Sequence, residues 1–228
     1  MKNHPQIALA INLAESPGKT YIPAMEDKLK LHSYRRCPFA MRVRMVLHEK
    51  SLSFETVEES LKNKSVELRQ LHPEGKVPLL IHSFPEGDRV VYESSVITEY
   101  LDEAFPNPPL MPPLATDRAE CRLWTHWCDT RFKVDIDRLK YGTSRSTAEE
   151  CQGADERLRG HLSKLETSLS RSEFLVGNSL TLADIHVFPF YRQLARINPA
   201  PAFLKSYPGA LSWAERMAAR PSFIQTMA

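Results

Sequence analysis

The stretch "FPNPPLMPPL", Phe105 to Leu114, carries five prolines in ten residues: Pro106, Pro108, Pro109, Pro112 and Pro113. Proline fixes φ and lacks an N–H, so neither a helix nor a central strand runs through such a segment. It is a stiffened, extended connector, and it divides the chain into two parts that must each bury a core. A length of 228 residues suffices for both. The pattern divides the chain into an N-terminal extension (1–27), a first domain (28–105), the Pro-rich linker (106–114) and a second domain (115–228).

The two parts carry different periodicities. Before the linker, "LKLHSY" (29–34) alternates with period two as a half-buried strand does, and "SFETVE" (53–58) reads as a second strand. Between them Pro38 suits the first turn of a helix that continues through "FAMRVRMVLHEK". "SVELRQL" reads as a short helix, "VPLLIH" and "DRVVYE" as antiparallel strands joined by the turn "SFPEG", and "SSVITEYLDEAF" as a closing helix. The order is βαβ followed by αββα. After the linker no strand pattern appears; helical patterns cover 117–139, 147–170, 182–196 and 207–217. The fold class is α/β followed by all-α. Thr181 and Asp184 form a capping-box pair, with Leu180 and Ile185 placed as a hydrophobic staple, and this motif reads as structural.

Several function classes drop out. A net charge of +2, with no Lys/Arg block longer than a pair, offers no field for nucleic acid. No apolar run approaches a membrane span. "IALAINLA" (7–14) is interrupted by Asn12 and followed by "ESPGK", so it does not read as a signal peptide. Cys37, Cys121, Cys128 and Cys151 form no CxxC and no disulfide framework, which points to a reducing cytoplasm. Cys121, His126 and Cys128 lack a fourth ligand, so no metal site is expected.

The chemistry concentrates in "YRRCPFAMRVR" (34–44). A cysteine capping a helix faces the free N–H groups of the first turn, and Arg35 and Arg36 add charge nearby; both conditions lower a thiol pKa. A lowered pKa makes Cys37 a good leaving group in thiol–disulfide exchange. Three residues on, where a dithiol protein would carry a second cysteine, stands Ala40. Cys37 therefore holds a mixed disulfide until an outside thiol resolves it.

Together, "CPFAMRVRMVL", "LKNKSVELRQLHPEGKVPLL", "YESSVITEYLDEAFP" and, more loosely, "LTLADIHVFP" resemble the omega-like, cysteine-type glutathione transferases, a group that includes dehydroascorbate reductases and thioltransferases. The resemblance is close over residues 28–106. It implies a thioredoxin-like βαβαββα domain that binds glutathione, an all-helical second domain, and a homodimer. By this resemblance Cys37 is the catalytic cysteine. Pro38 and Phe39 lie beside the tripeptide, Lys64 pairs with its glycine carboxylate, and Val77 bonds its cysteinyl backbone. Pro78 is the cis-proline, and Glu93 and Ser94 hold the γ-glutamyl group. The implied function is glutathione-dependent thiol transfer to a small-molecule or protein disulfide, dehydroascorbate or a similar substrate. Tyr34, three residues before Cys37, keeps open an alternative in which a hydroxyl activates glutathione for conjugation or reductive dehalogenation of an electrophile; a non-catalytic regulatory relative is a further alternative. Tyr34, Trp127, Phe132 and Tyr191 are candidates for lining the second-substrate pocket.

Overall fold

The computed structural model describes residues 28–228. The N-terminal extension, with its apolar 7–14 stretch, lies outside the described residues. The first part runs β1 (Lys28–Ser33), α1 (Pro38–Glu49), β2 (Glu55–Glu58), α2 (Val66–Leu71), β3 (Leu79–Phe84), β4 (Gly87–Tyr92) and α3 (Ser94–Ala104). This is the expected thioredoxin-like order. The sheet order is β2-β1-β3-β4, with β1 and β2 parallel and the other pairs antiparallel. The β3–β4 hairpin is tighter than the sequence indicates. Phe84 pairs with Gly87, leaving only Pro85 and Glu86 to turn, and Gly87 takes φ +124°, which suits a residue without Cβ.

Register decides where the loops emerge. Ser33 pairs with Glu58, His32 with Leu79, and Leu79 with Tyr92. The C-terminal ends of β1, β2 and β4 and the N-terminal end of β3 thus share one end of the sheet. The loops at 34–37, 59–65 and 72–78 and the β4–α3 junction at Glu93 all open there.

Helix α1 is buried at every position from Ala40 to Leu47, including Arg42 and Arg44. It shares a hydrophobic cluster with Leu29, Leu31 and Leu80 of the sheet and packs against α3 and against the helices Leu182–Ala195 and Pro221–Met227 of the helical part. The Pro-rich linker is locked rather than merely stiff. Buried Lys50, just past α1, donates to the Phe105 carbonyl at 2.6 Å and the Pro108 carbonyl at 2.8 Å, and pairs with Asp102 at 2.8 Å. Asp102 in turn accepts the N–H groups of Leu110 and Met111 at 2.8 and 2.9 Å.

The second part contains α4 (Ala115–Trp127), α5 (Lys133–Tyr141), α6 (Ala148–Cys151), α7 (Ala154–Leu169), α8 (Leu182–Ala195), α9 (Pro208–Ala219) and α10 (Pro221–Met227). The single helix expected over 117–139 is instead α4 and α5 joined by a π-helical turn at Cys128–Phe132. The helix expected over 147–170 breaks at Gln152 and Gly153, where Gly153 takes φ +69°. Arg157 satisfies the freed carbonyls of Glu150 and Gln152 at 2.9 and 2.8 Å. Helix α10, not among the expected helices, is separated from α9 by Pro221 at its first position. No described helix is long and apolar enough to cross a membrane.

Helix α8 is the core of the helical part, buried from Leu182 to Tyr191. Its start is organised by Asp184, which is fully buried. The carboxylate accepts the Thr181 N–H at 3.1 Å, the Thr181 hydroxyl at 2.9 Å, the Leu175 N–H at 2.9 Å and the Trp213 indole N–H at 3.0 Å. Four donors converge on one side chain, so its loss strands all of them. Asp184→Ala should lower the unfolding free energy by about 3–5 kcal/mol, measured by urea denaturation. Asp184→Asn, which keeps one accepting oxygen, should lose less.

Candidate functional site

Cys37 caps α1 with extended backbone, φ −75° and ψ 118°, and Pro38 follows at the first helical position. Its N–H donates to the Tyr34 carbonyl at 2.9 Å, which closes the turn, and its carbonyl accepts the Met41 N–H at 2.9 Å. Tyr34, Cys37, Pro38 and Phe39 are each half-buried.

The electrostatics differ from the sequence expectation. Burial pushes the Cys37 thiol above its ordinary value. It outweighs the opposing pull of the Ala40 and Phe39 N–H groups and of the Arg44 and Arg42 charges. Part of the residue reaches solvent, but its surroundings are dense enough that the anion loses most of its hydration, and lost hydration raises an acid's pKa. The expectation of a depressed thiol is thus reversed in the ligand-free protein. The cations also come from elsewhere. Arg35 and Arg36 are exposed, while Arg42 and Arg44 lie on α1 itself. Helical side chains lean toward the N-terminus, so Arg44 reaches back to the Ser33 hydroxyl and to the Arg35 carbonyl at 2.7 Å.

The other expected residues gather at the same end of the sheet. The Val77–Pro78 bond is cis, with Pro78 buried immediately before β3. Glu93 has φ +66° and ψ 118° and makes no capping bond to α3. A bulky residue at positive φ is strained, yet the carboxylate is exposed and spent on nothing within α3. Ser94 opens α3, is 4% exposed, and accepts a hydrogen bond from Arg42 Nη1 at 3.2 Å. Lys64 lies in the loop after β2, which Glu59 anchors. The buried Glu59 carboxylate accepts from the Ser65 N–H at 2.8 Å and the Ser65 hydroxyl at 2.5 Å, and contacts His32 Nδ1 at 2.7 Å.

Sequence reasoning missed His72. It is buried, and its Nδ1 accepts the Glu74 N–H at 3.0 Å, which leaves the proton of the neutral ring on Nε2. Burial lowers its pKa, Glu93 and Glu74 oppose the shift, and Lys76 and Lys64 reinforce it. Both Glu93 and Lys64 therefore lie within electrostatic reach of one imidazole. Arg42 and Asp129 were missed as well. The available signal for Arg42 was its place in a helix whose neighbours are apolar on every face, the mark of a fully enclosed helix.

Of the residues expected to line a second-substrate pocket, Tyr34 lies half-buried beside Cys37, while the other three pack within the helical part. Phe132 is fully buried and stacks on Trp127 with ring centroids 5.1 Å apart and planes 8° from parallel. Trp127 donates its indole N–H to His161 Nδ1 at 3.2 Å. His161 Nε2 in turn lies 3.1 Å from Asp135, which Arg157 and Arg138 also hold, at 2.8 and 3.1 Å. Tyr191 is 2% exposed and packs edge-on to Trp213 at 5.8 Å; burial pushes its phenol up to about 12. Phe132 and Tyr191 are core residues, and Trp127 is partly buried against the same core. Phe39 likewise packs across the two parts, edge-on to Phe190 at 5.0 Å. A concavity of about 500 Å³ between α1 and α10, lined in part by His48, Glu49, Ser51 and Arg220, contains none of the site residues. Two of the other cysteines are shielded, and Cys151 is half-buried away from the sheet, on α6. Cys121 and Cys128 are buried, with thiols pushed up by burial to about 11 and about 12.

Comparison with known proteins agrees with this arrangement. The family model described as "Glutathione S-transferase, N-terminal domain" matches residues 31–109, and that described as "Glutathione S-transferase, C-terminal domain" matches residues 128–221. Glutathione S-transferase omega-1 of Sus scrofa is 32% identical over 174 residues, covering 75% of this chain and 69% of its own. Glutathione S-transferase U22 of Arabidopsis thaliana is 29% identical over 211 residues, covering 89% and 91%. Among solved structures, rice GST1 (OsGSTU1) in complex with glutathione superposes with a TM-score of 0.78 at 32% identity, covering 90% of this chain and 92% of its own. A thioredoxin-like sheet, a helical second part and both domain matches in sequence order lead to one conclusion: the chain belongs to the glutathione S-transferase family.

Proposed function

We propose that this protein is a glutathione-dependent thiol transferase acting through a mixed disulfide between Cys37 and glutathione. One observation carries the reading. The half-buried Cys37 at the start of α1, with Ala40 where a resolving thiol would stand, shares a sheet end with Lys64, cis Pro78, Glu93 and Ser94. The rice relative was solved with glutathione bound, and the strained, uncapped Glu93 beside Ser94 suits an ammonium and a carboxylate on one ligand group. Glu93 balances the ammonium; the Ser94 hydroxyl and the first N–H groups of α3 take the carboxylate. Lys64 pairs with the glycine carboxylate, and Val77 and Pro78 line the cysteinyl backbone. We further place the protein in a reducing cytoplasm, as a homodimer. Exposed Val96 on α3 and Leu123 on α4 flank the Glu99–Arg122 ion pair, 2.7 Å long, that joins those helices.

The chemistry balances with glutathione alone. The Cys37 thiolate attacks the glutathione sulfur of a mixed disulfide substrate, forming Cys37–S–S–glutathione and releasing the substrate as its thiolate. A second glutathione thiolate attacks the glutathione sulfur of that bond, producing glutathione disulfide and returning Cys37 as thiolate. Arg44 and Arg42 stabilise the departing anion. Cys37→Ser should abolish turnover of hydroxyethyl disulfide with glutathione, because a hydroxyl neither forms nor releases a disulfide. Mass spectrometry of oxidised wild-type protein should place a glutathione adduct on Cys37 and leave Cys121, Cys128 and Cys151 free. Full activity in Cys37→Ser would overturn the mechanism.

A second reading has its own support. A thiol whose pKa is raised stays protonated at neutral pH, and a neutral S–H can donate to the thiolate of bound glutathione, which then attacks an electrophile itself. The two readings separate by pH. Because the Cys37 pKa is raised, its reactive fraction is small below the ordinary thiol value of about 8.5 and grows as pH rises through the higher midpoint. Iodoacetamide alkylation of the ligand-free protein should therefore show a midpoint above about 8.5, and Arg44→Gln should move it higher still. A thiol transferase's rate should rise with pH along the same curve. A conjugating enzyme, assayed with a chlorinated nitroaromatic, should instead lose rate through that window.

A further inference from the structure

We infer that Arg42 is a positioning residue for glutathione binding, acting through the Ser94 hydroxyl, which it turns toward the carboxylate of the γ-glutamyl group. The inference rests on the glutathione site proposed above. The guanidinium is fully buried and lies beside two rings, 5.1 Å from the Phe39 centroid and 4.8 Å from that of Phe190. Every one of its nitrogens is engaged. Nε donates to the His186 carbonyl at 3.0 Å, and Nη2 to Asp129 Oδ1 at 2.6 Å and Cys128 Sγ at 3.6 Å. Nη1 donates to Asp129 Oδ2 at 3.3 Å and to Ser94 Oγ at 3.2 Å.

The last bond has a directional consequence. A guanidinium has no acceptor, so Ser94 Oγ must be the acceptor and its own proton must point elsewhere. Among the described residues that hydroxyl donates to no protein group. It stands at the first position of α3, where the N–H groups of the first turn also lack helical partners. An O–H and free N–H groups facing the same space, beside the exposed carboxylate of Glu93, make a cradle for a carboxylate whose neighbour is an ammonium. Arg42 holds the hydroxyl in that orientation, and Asp129, His186 and Phe190 of the helical part hold Arg42. Glutathione affinity is thereby tied to Asp129, a side chain outside the glutathione-binding half.

A simple packing role for Arg42 gives a different result in a double-mutant cycle. Glutathione binding by the full-length chain is measured calorimetrically for wild type, Arg42→Lys, Ser94→Ala and the double variant, with thermal denaturation of each recorded separately. Acting through Ser94, Arg42→Lys should weaken binding by roughly three- to tenfold in the wild-type background. In the Ser94→Ala background it should change binding by less than about twofold. Equal losses in both backgrounds overturn the inference. Should Arg42→Lys not fold, Asp129→Asn, at a partly exposed side chain, makes the same test: a loss confined to protein with Ser94 supports the inference, and an equal loss without it overturns it. Failure of the wild type to bind glutathione overturns the site reading and this inference together; binding by the wild type with equal losses in the cycle overturns the inference alone.

Discussion

The fold turns on a buried cation. Arg42 projects from α1, the helix that Cys37 caps, and binds α3, the π-helical turn and α8 at once. Burying a guanidinium costs hydration that a single carboxylate repays poorly. Here the cost is met by Asp129 in two bonds, by a backbone carbonyl, by a serine and a sulfur, and by two aromatic faces. A lysine could not make this set, since only a planar fork reaches acceptors in several directions with fixed geometry. The π-helical turn belongs to the same device. Its extra residue places Cys128 and Asp129 both against Arg42, where a regular helix would have spaced them for solvent and core.

Around that anchor each part contributes differently. The sheet gathers loops by register, bringing four separate chain segments to one end without any of them contacting the others in sequence. The helical part adds none of the charges or hydrogen bonds that act on the Cys37 thiol, but α8 and α10 pack against α1, the helix that Cys37 caps. Arg220 and Ser222 grip Glu49 at 2.6 to 2.9 Å, and the Arg35 guanidinium binds the Met227 carbonyl, so the C-terminal helix is tied to both ends of α1. The Lys50–Asp102 clamp on the linker fixes the join between the parts on the same side.

Some of the site was legible because its causes are local. Proline after a cysteine at the end of an alternating strand announces a capped helix, and Thr181 with Asp184 announces another. Both held because caps and turns depend on residues within a few positions. His72, Arg42 and Asp129 were illegible for the opposite reason. Arg42 finds its partners 52, 87 and 144 residues away, and although its apolar helical neighbours mark an enclosed helix, nothing local names the groups that the guanidinium meets. Phe132 and Tyr191 show the converse: aromatic residues were taken toward a pocket, whereas they are buried in the core of the helical part, with Trp127 stacked partly buried against Phe132.

By itself the sequence determined the two-part division, the order of strands and helices, the place of Cys37 at a helix start and the alanine three residues on. These follow from proline's missing N–H, from side-chain periodicity and from residue identity, which need no knowledge of the rest of the chain. Only the tertiary structure decided the protonation preference of Cys37, the identity of the arginines that face it, and the bonding of Ser94. Helix-terminus N–H groups and neighbouring charges pull the thiol down as the motif implied, but desolvation depends on every atom packed around the sulfur. Those atoms come from parts of the chain that only folding brings together.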